Sequence, residues 1–371
     1  MSWHPKYTIS NKLLLTTREI GESIGEIKSL RLTDTALAKL ELSARELSSY
    51  ASTSIEGNPL PLTDVKHLLK TGKESIRDTE REVLNYNQAL QALFKSVRQN
   101  RFELNVKTLK RVQGQVVEGL MDNPSHCGAL RQDPVIIRNP RKPDEIVFIP
   151  PDAKDVRLLI ESLMSFVNDN IGKIDPVILA GIFHRQNVII HPFIDGNGRT
   201  TRLLTTAILG QAGLDLFEIF SFEDYYNRNI TRYFKTVGLE GDYYELQGSG
   251  DLQGSSDSED SIDFSAWLEY FAEGILDELR RVIKILPEQS RDRPKLRPEL
   301  RPEVRPRLEP HHQQILDYIH ERGSITQREY GGITGRSLAS RKLDFEKLIQ
   351  LNLIEAKGVG RGTYYVLVPP Q

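Results

Sequence analysis

His191-Pro-Phe-Ile-Asp-Gly-Asn-Gly-Arg-Thr-Thr-Arg202 decides the reading of this 371-residue chain. The stretch holds a base (His191), an acid (Asp195), a Gly196-Asn197-Gly198 turn and two arginines, Arg199 and Arg202. The glycines permit a tight turn and close backbone approach. Leu203, Leu204, Ala207 and Ile208 follow at helical spacing, so the turn opens a helix. A helix N-terminus offers unpaired N–H groups and partial positive charge, which together bind anions. Cations three residues apart in a first turn oppose that dipole. They make sense beside a multiply charged anion gripped by guanidinium forks. Asp195 can hold a divalent cation shared with phosphate oxygens. His191 suits proton removal near neutral pH.

The string resembles the signature of Fic-domain proteins, His-Pro-Phe-x-Asp/Glu-Gly-Asn-Gly-Arg-x-x-Arg, with every specified position filled. The resemblance implies a mainly α fold with a Fic-type helical core. It implies a protein adenylyltransferase that moves AMP from ATP to a Ser, Thr or Tyr hydroxyl of a target protein, the chain itself included. His191 would then deprotonate the hydroxyl and Asp195 would hold Mg²⁺. Gly196, Asn197 and Gly198 would cradle the phosphates, Arg199 would meet the β-phosphate region and Arg202 the γ-phosphate. Thr201 departs from the small residue many relatives carry there, and Asn187-Val188 replaces a common Phe-Glu pair.

A second stretch, Ser52-Thr-Ser-Ile-Glu56-Gly-Asn-Pro59, ends a helix at Glu56, because Gly57, Asn58 and Pro59 are stop residues. A carboxylate there faces the negative end of the helix dipole and invites a partner. The stretch resembles the Fic inhibitory motif Ser/Thr-x-x-x-Glu-Gly/Asn at Ser52 and Glu56. That resemblance implies autoinhibition, with Glu56 on Arg202 in the seat of the γ-phosphate.

Val135-Ile136-Ile137 and Ile146–Ile149 are β-rich runs around a loop at 138–145, which predicts a hairpin. It is similar to the family's flap, with Arg131 matching its first position, and its edge can hold a target segment by strand addition. Tyr233-Phe234 resembles a pair lining the adenine pocket, although Tyr225-Tyr226 and Tyr243-Tyr244 compete for that alignment. His184 reads as a packed core histidine.

Helical faces recur through the first hundred residues: Leu37, Leu40, Ala44 and Leu47, then Val83, Tyr86, Leu90 and Leu93. This divides the chain into a helical region at 1–100 carrying the inhibitory helix and a core at 101–285. A linker at 286–310 and a module at 311–371 follow. Gly248 to Ile262 reads as a polar loop. The linker repeats Arg-Pro every four residues from Arg293, which forbids a regular helix and suits an extended spacer of about 50 Å. The last module reads as three helices and a β-hairpin, resembling the winged helix-turn-helix that many Fic proteins carry. DNA contact would use Arg341 or Lys342 on the third helix and Arg361 on the wing. Eight basic against six acidic side chains leave it weakly basic, so a protein contact or a homodimer competes with DNA.

Net charge is −2, which gives no global pull toward nucleic acid or membrane. One cysteine, Cys127, excludes an internal disulfide framework and a multi-cysteine zinc site. No apolar run reaches the length of a membrane span, and the first residues lack a secretion signal, which predicts a cytoplasmic setting. Three alternatives stay open at this stage. The same site can reverse AMPylation, with Glu56 positioning water. It can use another nucleotide. Or the Fic core can sense nucleotide for a DNA-binding regulator.

Overall fold

The computed structural model describes residues 3–30, 32–71, 77–139, 142–214, 216–238, 240–246, 262–286, 309–350, 353–358 and 363–368. Most of the polar loop, the Arg-Pro spacer and Arg361 therefore lie outside the described residues. The chain divides into two compact units, at 291/292. In the first, α1 (Asn11–Ser29), α2 (Asp34–Ile55), α3 (Leu62–Thr71), α4 (Asp78–Arg98) and α5 (Val106–Val116) precede a hairpin of β1 (Ile137–Asn139) and β2 (Lys142–Ile149). Then come α6 (Ala153–Asn170), α7 (Pro176–Ile190), α8 (Asn197–Gln211), α9 (Phe222–Arg228), α10 (Ile230–Val237), β3 (Gly241–Asp242), α11 (Tyr243–Leu246) and α12 (Ser265–Ile285).

The helices start where side chains can satisfy free N–H groups. Ser10, Thr33 and Asn105 accept from the backbone at the starts of α1, α2 and α5. Asp175 caps α7 ahead of Pro176 at the first helical position. From Val177 to Ile190 every residue of α7 but Val188 is buried, so it forms the centre of the unit. It packs against α6, α8 and α12. One hydrophobic core runs through residues of both 1–100 and 101–285, joining the N-terminal helices to the rest. The face read from Val83, Tyr86, Leu90 and Leu93 is buried.

The hairpin differs from expectation in two respects. Val135 and Ile136 precede the first strand, beside Pro134, which has no N–H to pair. The second strand starts at Lys142, within the stretch expected to be loop. A short strand, β3, joins β2 in parallel, giving the order β1-β2-β3 and leaving β1 at the edge.

The second unit contains α13 (Pro310–Arg322), α14 (Gln327–Ile333), α15 (Leu338–Gln350), β4 (Ile354–Lys357) and β5 (Tyr364–Leu367), the strands pairing antiparallel. Ile315, Ile319, Ile325, Tyr330, Phe345, Leu348 and Ile354 form its core. Of the side chains expected to read DNA, Arg341 is engaged within the unit and Lys342 is exposed. Arg341 donates to the Gln327 carbonyl at 3.3 Å, and Lys342 lies 3.7 Å from Glu346.

Gly181 lets α12 approach α7. A Cβ there would lie 2.8 Å from Leu268 Cδ2 and 3.1 Å from Phe271 Cδ1, and Trp267 Nε1 donates to the Gly181 carbonyl at 2.7 Å. Gly181→Val is expected to lower stability by about 1–3 kcal/mol through overpacking, read as a lower urea midpoint. An unchanged midpoint would mean that the two helices are not tightly apposed.

Candidate active site

The stretch 191–202 forms the turn between α7 and α8. His191 caps α7 in a left-handed conformation (φ 50°), which turns the chain abruptly out of the helix. Arg131 holds this turn from the hairpin side. Its backbone N–H donates to the Pro192 carbonyl at 2.9 Å and its Nε to the His191 carbonyl at 2.8 Å. Its Nη2 donates to the carbonyls of Pro151 and Ile190. The guanidinium is buried, and its charge is spent on carbonyl oxygens rather than on an acid.

The His191 ring points Nδ1 at the Val188 carbonyl at 3.3 Å, so Nδ1 carries the proton and Nε2 is the free base. Burial lowers its pKa to about 4; the Val188 carbonyl and the Glu56 and Asp195 carboxylates oppose the shift, and Arg131 adds to it. The imidazole is therefore neutral at pH 7.

Gly196 precedes α8 with φ 78°, and a Cβ there would meet Val117 Cγ1 at 2.7 Å. Both its conformation and its packing on α5 thus require glycine. Asn197 does not face outward. Its Oδ1 accepts from the Phe193 N–H at 2.9 Å and its Nδ2 donates to the Phe193 carbonyl at 2.8 Å. The side chain thereby shapes the loop, because these backbone groups are buried and need partners.

Gly198 explains itself through a distant residue: a Cβ would fall 2.2 Å from Glu56 Oε1. The Glu56 carboxylate thus lies against the first turn of α8, where the helix end favours an anion. Glu56 caps α2, as the stop residues predict, and Gly57 turns the chain with φ 96°. Arg202 Nη2 donates to Glu56 Oε1 at 2.7 Å and to the Ser52 carbonyl at 2.9 Å, and its Nε to Ser52 Oγ at 2.7 Å. Only 1% of the Arg202 side chain is exposed. Burial alone would depress its pKa, but the Glu56 carboxylate more than offsets this and holds it above the ordinary arginine value.

Arg199 has two acidic partners. Its Nη2 lies 3.0 Å from both oxygens of Asp195, and its Nη1 donates to Glu82 Oε1 at 2.6 Å. Glu82, on α4, escaped sequence reading. Its only signal is an acid flanking the apolar stripe of Val83 and Tyr86, which is common on any surface helix. Gln113 also escaped: fully buried, it donates to the Asp195 carbonyl at 3.0 Å and accepts from the Gly128 N–H at 2.6 Å. The Asp195 side chain is 53% exposed, so its carboxylate is accessible from solvent. An accessible carboxylate oxygen is a donor of the kind that hard divalent cations take.

Tyr233 lies behind the site. It is buried, stacks on Tyr226 at 4.7 Å and bonds to His184 Nε2 at 3.1 Å, so its ring belongs to the core rather than to an open adenine pocket. His184 is a core histidine, its other nitrogen meeting Thr205 Oγ1 at 3.1 Å. Thr201 and Asn187, the two departures from the family pattern, answer each other. Asn187 Nδ2 donates to Thr201 Oγ1 at 2.6 Å across the α7–α8 contact. At the hairpin Ile136 is 40% exposed while Val135 and Ile137 are half-buried.

A family model described as Fic/DOC family matches residues 103–209, the span that contains the α7–α8 turn. That span is thus similar to the Fic/DOC family. The protein adenylyltransferase Fic of Drosophila erecta is 30% identical over 197 residues, covering 50% of this chain and 36% of that protein. The protein adenylyltransferase Fic of Drosophila virilis is 28% identical over 212 residues, 56% of this chain and 40% of that protein. The matched stretch thus spans well under half the length of these curated relatives. Among solved structures, a Fic family protein from Desulfovibrio desulfuricans G20 aligns over 100% of this chain and 99% of its own, with TM-score 0.60 and 19% identity. Fic-1 from C. elegans aligns over 72% of this chain and 71% of its own, with TM-score 0.53 and 22% identity. These likenesses place the mainly helical architecture in the Fic fold.

The depressed pKa of His191 has a consequence for stability. The unfolded imidazole takes a proton near pH 6.5 and the folded one near 4, so the unfolded state binds more protons between them. His184, also held well below its ordinary value by burial and by Arg202, acts in the same sense. Stability is expected to fall as pH drops from 6.5 toward 4, with His191 contributing up to roughly 3 kcal/mol. His191→Gln should flatten part of that fall in urea titrations at stepped pH. Equal slopes for both proteins would place the histidine pKa near its solution value.

Proposed function

We propose that the chain is a protein adenylyltransferase that transfers AMP from ATP to a hydroxyl side chain of a target protein, held inactive by Glu56. One observation supports this reading above the others: an internal carboxylate sits on Arg202 at the N-terminus of α8, where a polyphosphate would bind. Arg202, Arg199 and the amides at the start of α8 offer the charge and donors such an anion needs. The adenylyltransferase names of the Drosophila relatives point the same way.

In the transfer, the target hydroxyl gives its proton to His191 Nε2 while its oxygen bonds to the α-phosphorus. The bond from that phosphorus to the bridging oxygen breaks, and pyrophosphate leaves with the electron pair. Arg131 and the Val188 carbonyl keep the base in its tautomer and place. Arg199 and Arg202 meet the charge of the β- and γ-phosphates, and the backbone around Gly196 and Gly198 approaches them closely. The work is positioning and charge stabilisation. Asp195 would hold Mg²⁺, which supplies neutralisation of phosphate charge. The free edge of β1 is suited to hold an extended target segment by strand pairing. A hydrolytic reversal draws support from Glu56 Oε2, which has no hydrogen-bond partner among the described residues and could orient water. Arg341 is engaged at the Gln327 carbonyl while Lys342 is exposed, which gives the second unit no preference for DNA over a protein partner. No described helix is long and apolar enough to cross a membrane.

The test is incubation with α-labelled ATP and Mg²⁺ in a lysate that supplies targets. Glu56→Gly is expected to raise protein-bound label by about tenfold or more, the factor that 1.4 kcal/mol of relieved competition yields. Adding His191→Ala should cut the label by roughly 100-fold or more. Label appearing from γ-labelled but not α-labelled ATP would replace adenylylation with phosphorylation. No label from either, with Glu56→Gly folded and ATP bound, would remove the transferase reading.

A further inference from the structure

Glu56 is poorly supported by its own helix. It lies beyond the last turn of α2, and its side chain is 33% exposed. The Gly57 N–H bonds to the Ser54 carbonyl and the Asn58 N–H to the Thr53 carbonyl, which closes the helix end. Those bonds tie the turn to α2 and to nothing else. The tie across to a neighbouring element is the side chain of Asn58. Its Nδ2 donates to the Thr79 carbonyl at 2.8 Å and to Glu82 Oε2 at 2.7 Å, both on α4. Its Oδ1 accepts from the Leu60 N–H at 3.1 Å. The residue is 9% exposed and uses both amide protons and its oxygen. Glu82, with its other oxygen, holds Arg199.

We propose that Asn58 is the positioning residue of the brake: it pins the turn after Glu56 to α4 and, through Glu82, ties that turn to Arg199. This rests on the adenylyltransferase reading above for its effect on transfer, though not for its effect on the turn. Glu56 and the two phosphate-facing arginines are then held as one unit. Glu56 pairs directly with Arg202, and Glu82 bridges Asn58 to Arg199. The Glu56–Arg202 bond at 2.7 Å has little slack, because a shift of about 1 Å takes such a contact out of hydrogen-bond range. Removing the Asn58 amide frees the turn to make that shift while leaving Glu56 and every phosphate-facing group in the chain.

The experiment compares the full chain as wild type, Glu56→Gly, Asn58→Ala, Asn58→Asp and the double variant Glu56→Gly/Asn58→Ala. Each is checked by its melting curve, then assayed with α-labelled ATP and Mg²⁺. Asn58→Ala is expected to raise the label about 3- to 10-fold over wild type, the factor expected for loss of one hydrogen bond's net worth. Asn58→Asp keeps the shape and the acceptor for Leu60 but turns an oxygen toward the Thr79 carbonyl and Glu82, so its release should be at least as large. Because Asn58 acts through Glu56, the double variant should equal Glu56→Gly alone. Wild-type labelling by both folded Asn58 variants, where Glu56→Gly is active, overturns the proposal. So does a double variant that multiplies the two single effects. Amide exchange over residues 53–60 gives a readout that needs no transfer. Exchange about 3- to 10-fold faster in either Asn58 variant supports the clasp, and wild-type rates overturn it. A silent Glu56→Gly with accelerated exchange in the Asn58 variants would sink the enzymatic reading and keep the clasp.

Discussion

A guanidinium with almost no water around it needs its donors and its charge answered by the protein, and Arg202 is such a group. Breaking a buried pair by removing one partner costs about 3–5 kcal/mol. In this chain the demand is met by Glu56, 146 positions upstream, with Ser52 filling the remaining donors. The helix that carries Glu56 is therefore part of the core and not an appendage to it. Glu223 fastens the same helix. Its buried carboxylate accepts from Ser48 on α2, from Tyr86 on α4 and from Ser221 beside it. A polyphosphate is the other counter-charge Arg202 could take. On the proposed function, Glu56 and substrate would be alternative answers to one electrostatic requirement.

Arg199 follows the same rule with a different division of labour. Two carboxylates share it, Asp195 accessible and Glu82 nearly enclosed. An acid that must be available to a cation cannot also be the sole partner of a buried arginine. Glu82 removes that conflict: Asp195 can turn to Mg²⁺ while Arg199 stays paired and oriented. Glu56, Glu82 and Asp195 thus face two arginines, one negative charge more than the two guanidinium groups supply.

The turn at 191–202 was legible because its chemistry and local geometry coincide within one helix start. Gly196, the helix opening at Asn197 and the stop at Glu56 all follow from backbone rules that act over a few residues. Glu82, Gln113 and the clasp at Asn58 were not legible, since each acts on a partner brought near only by helix packing. An acid beside an apolar stripe is ordinary until α8 lies across it. Asn197 shows a related effect. Its amide looks suited to phosphate, yet the buried Phe193 backbone competes for it first. Tyr233 misled because a tyrosine near a nucleotide site and a tyrosine buried under it have the same sequence signature. The hairpin was visible in its β-branched runs, while the paired residues were set by Pro134 and by β3, a strand too short to announce itself.

His191 ties these electrostatics to reactivity. Its pKa near 4 keeps the imidazole unprotonated but makes it a weak proton acceptor, since a general base works best with a pKa close to the working pH. The charges around it show how that can change. Glu56 and Asp195 already raise the value, and burial and Arg131 lower it. Exchanging the single charge of Glu56 for a polyphosphate places more negative charge in the same neighbourhood, which favours the imidazolium. Nucleotide binding would then bring the reacting phosphorus and strengthen the base in one step. On the proposed function, a base kept weak by burial until the nucleotide arrives would be a second safeguard beside the Glu56–Arg202 pair.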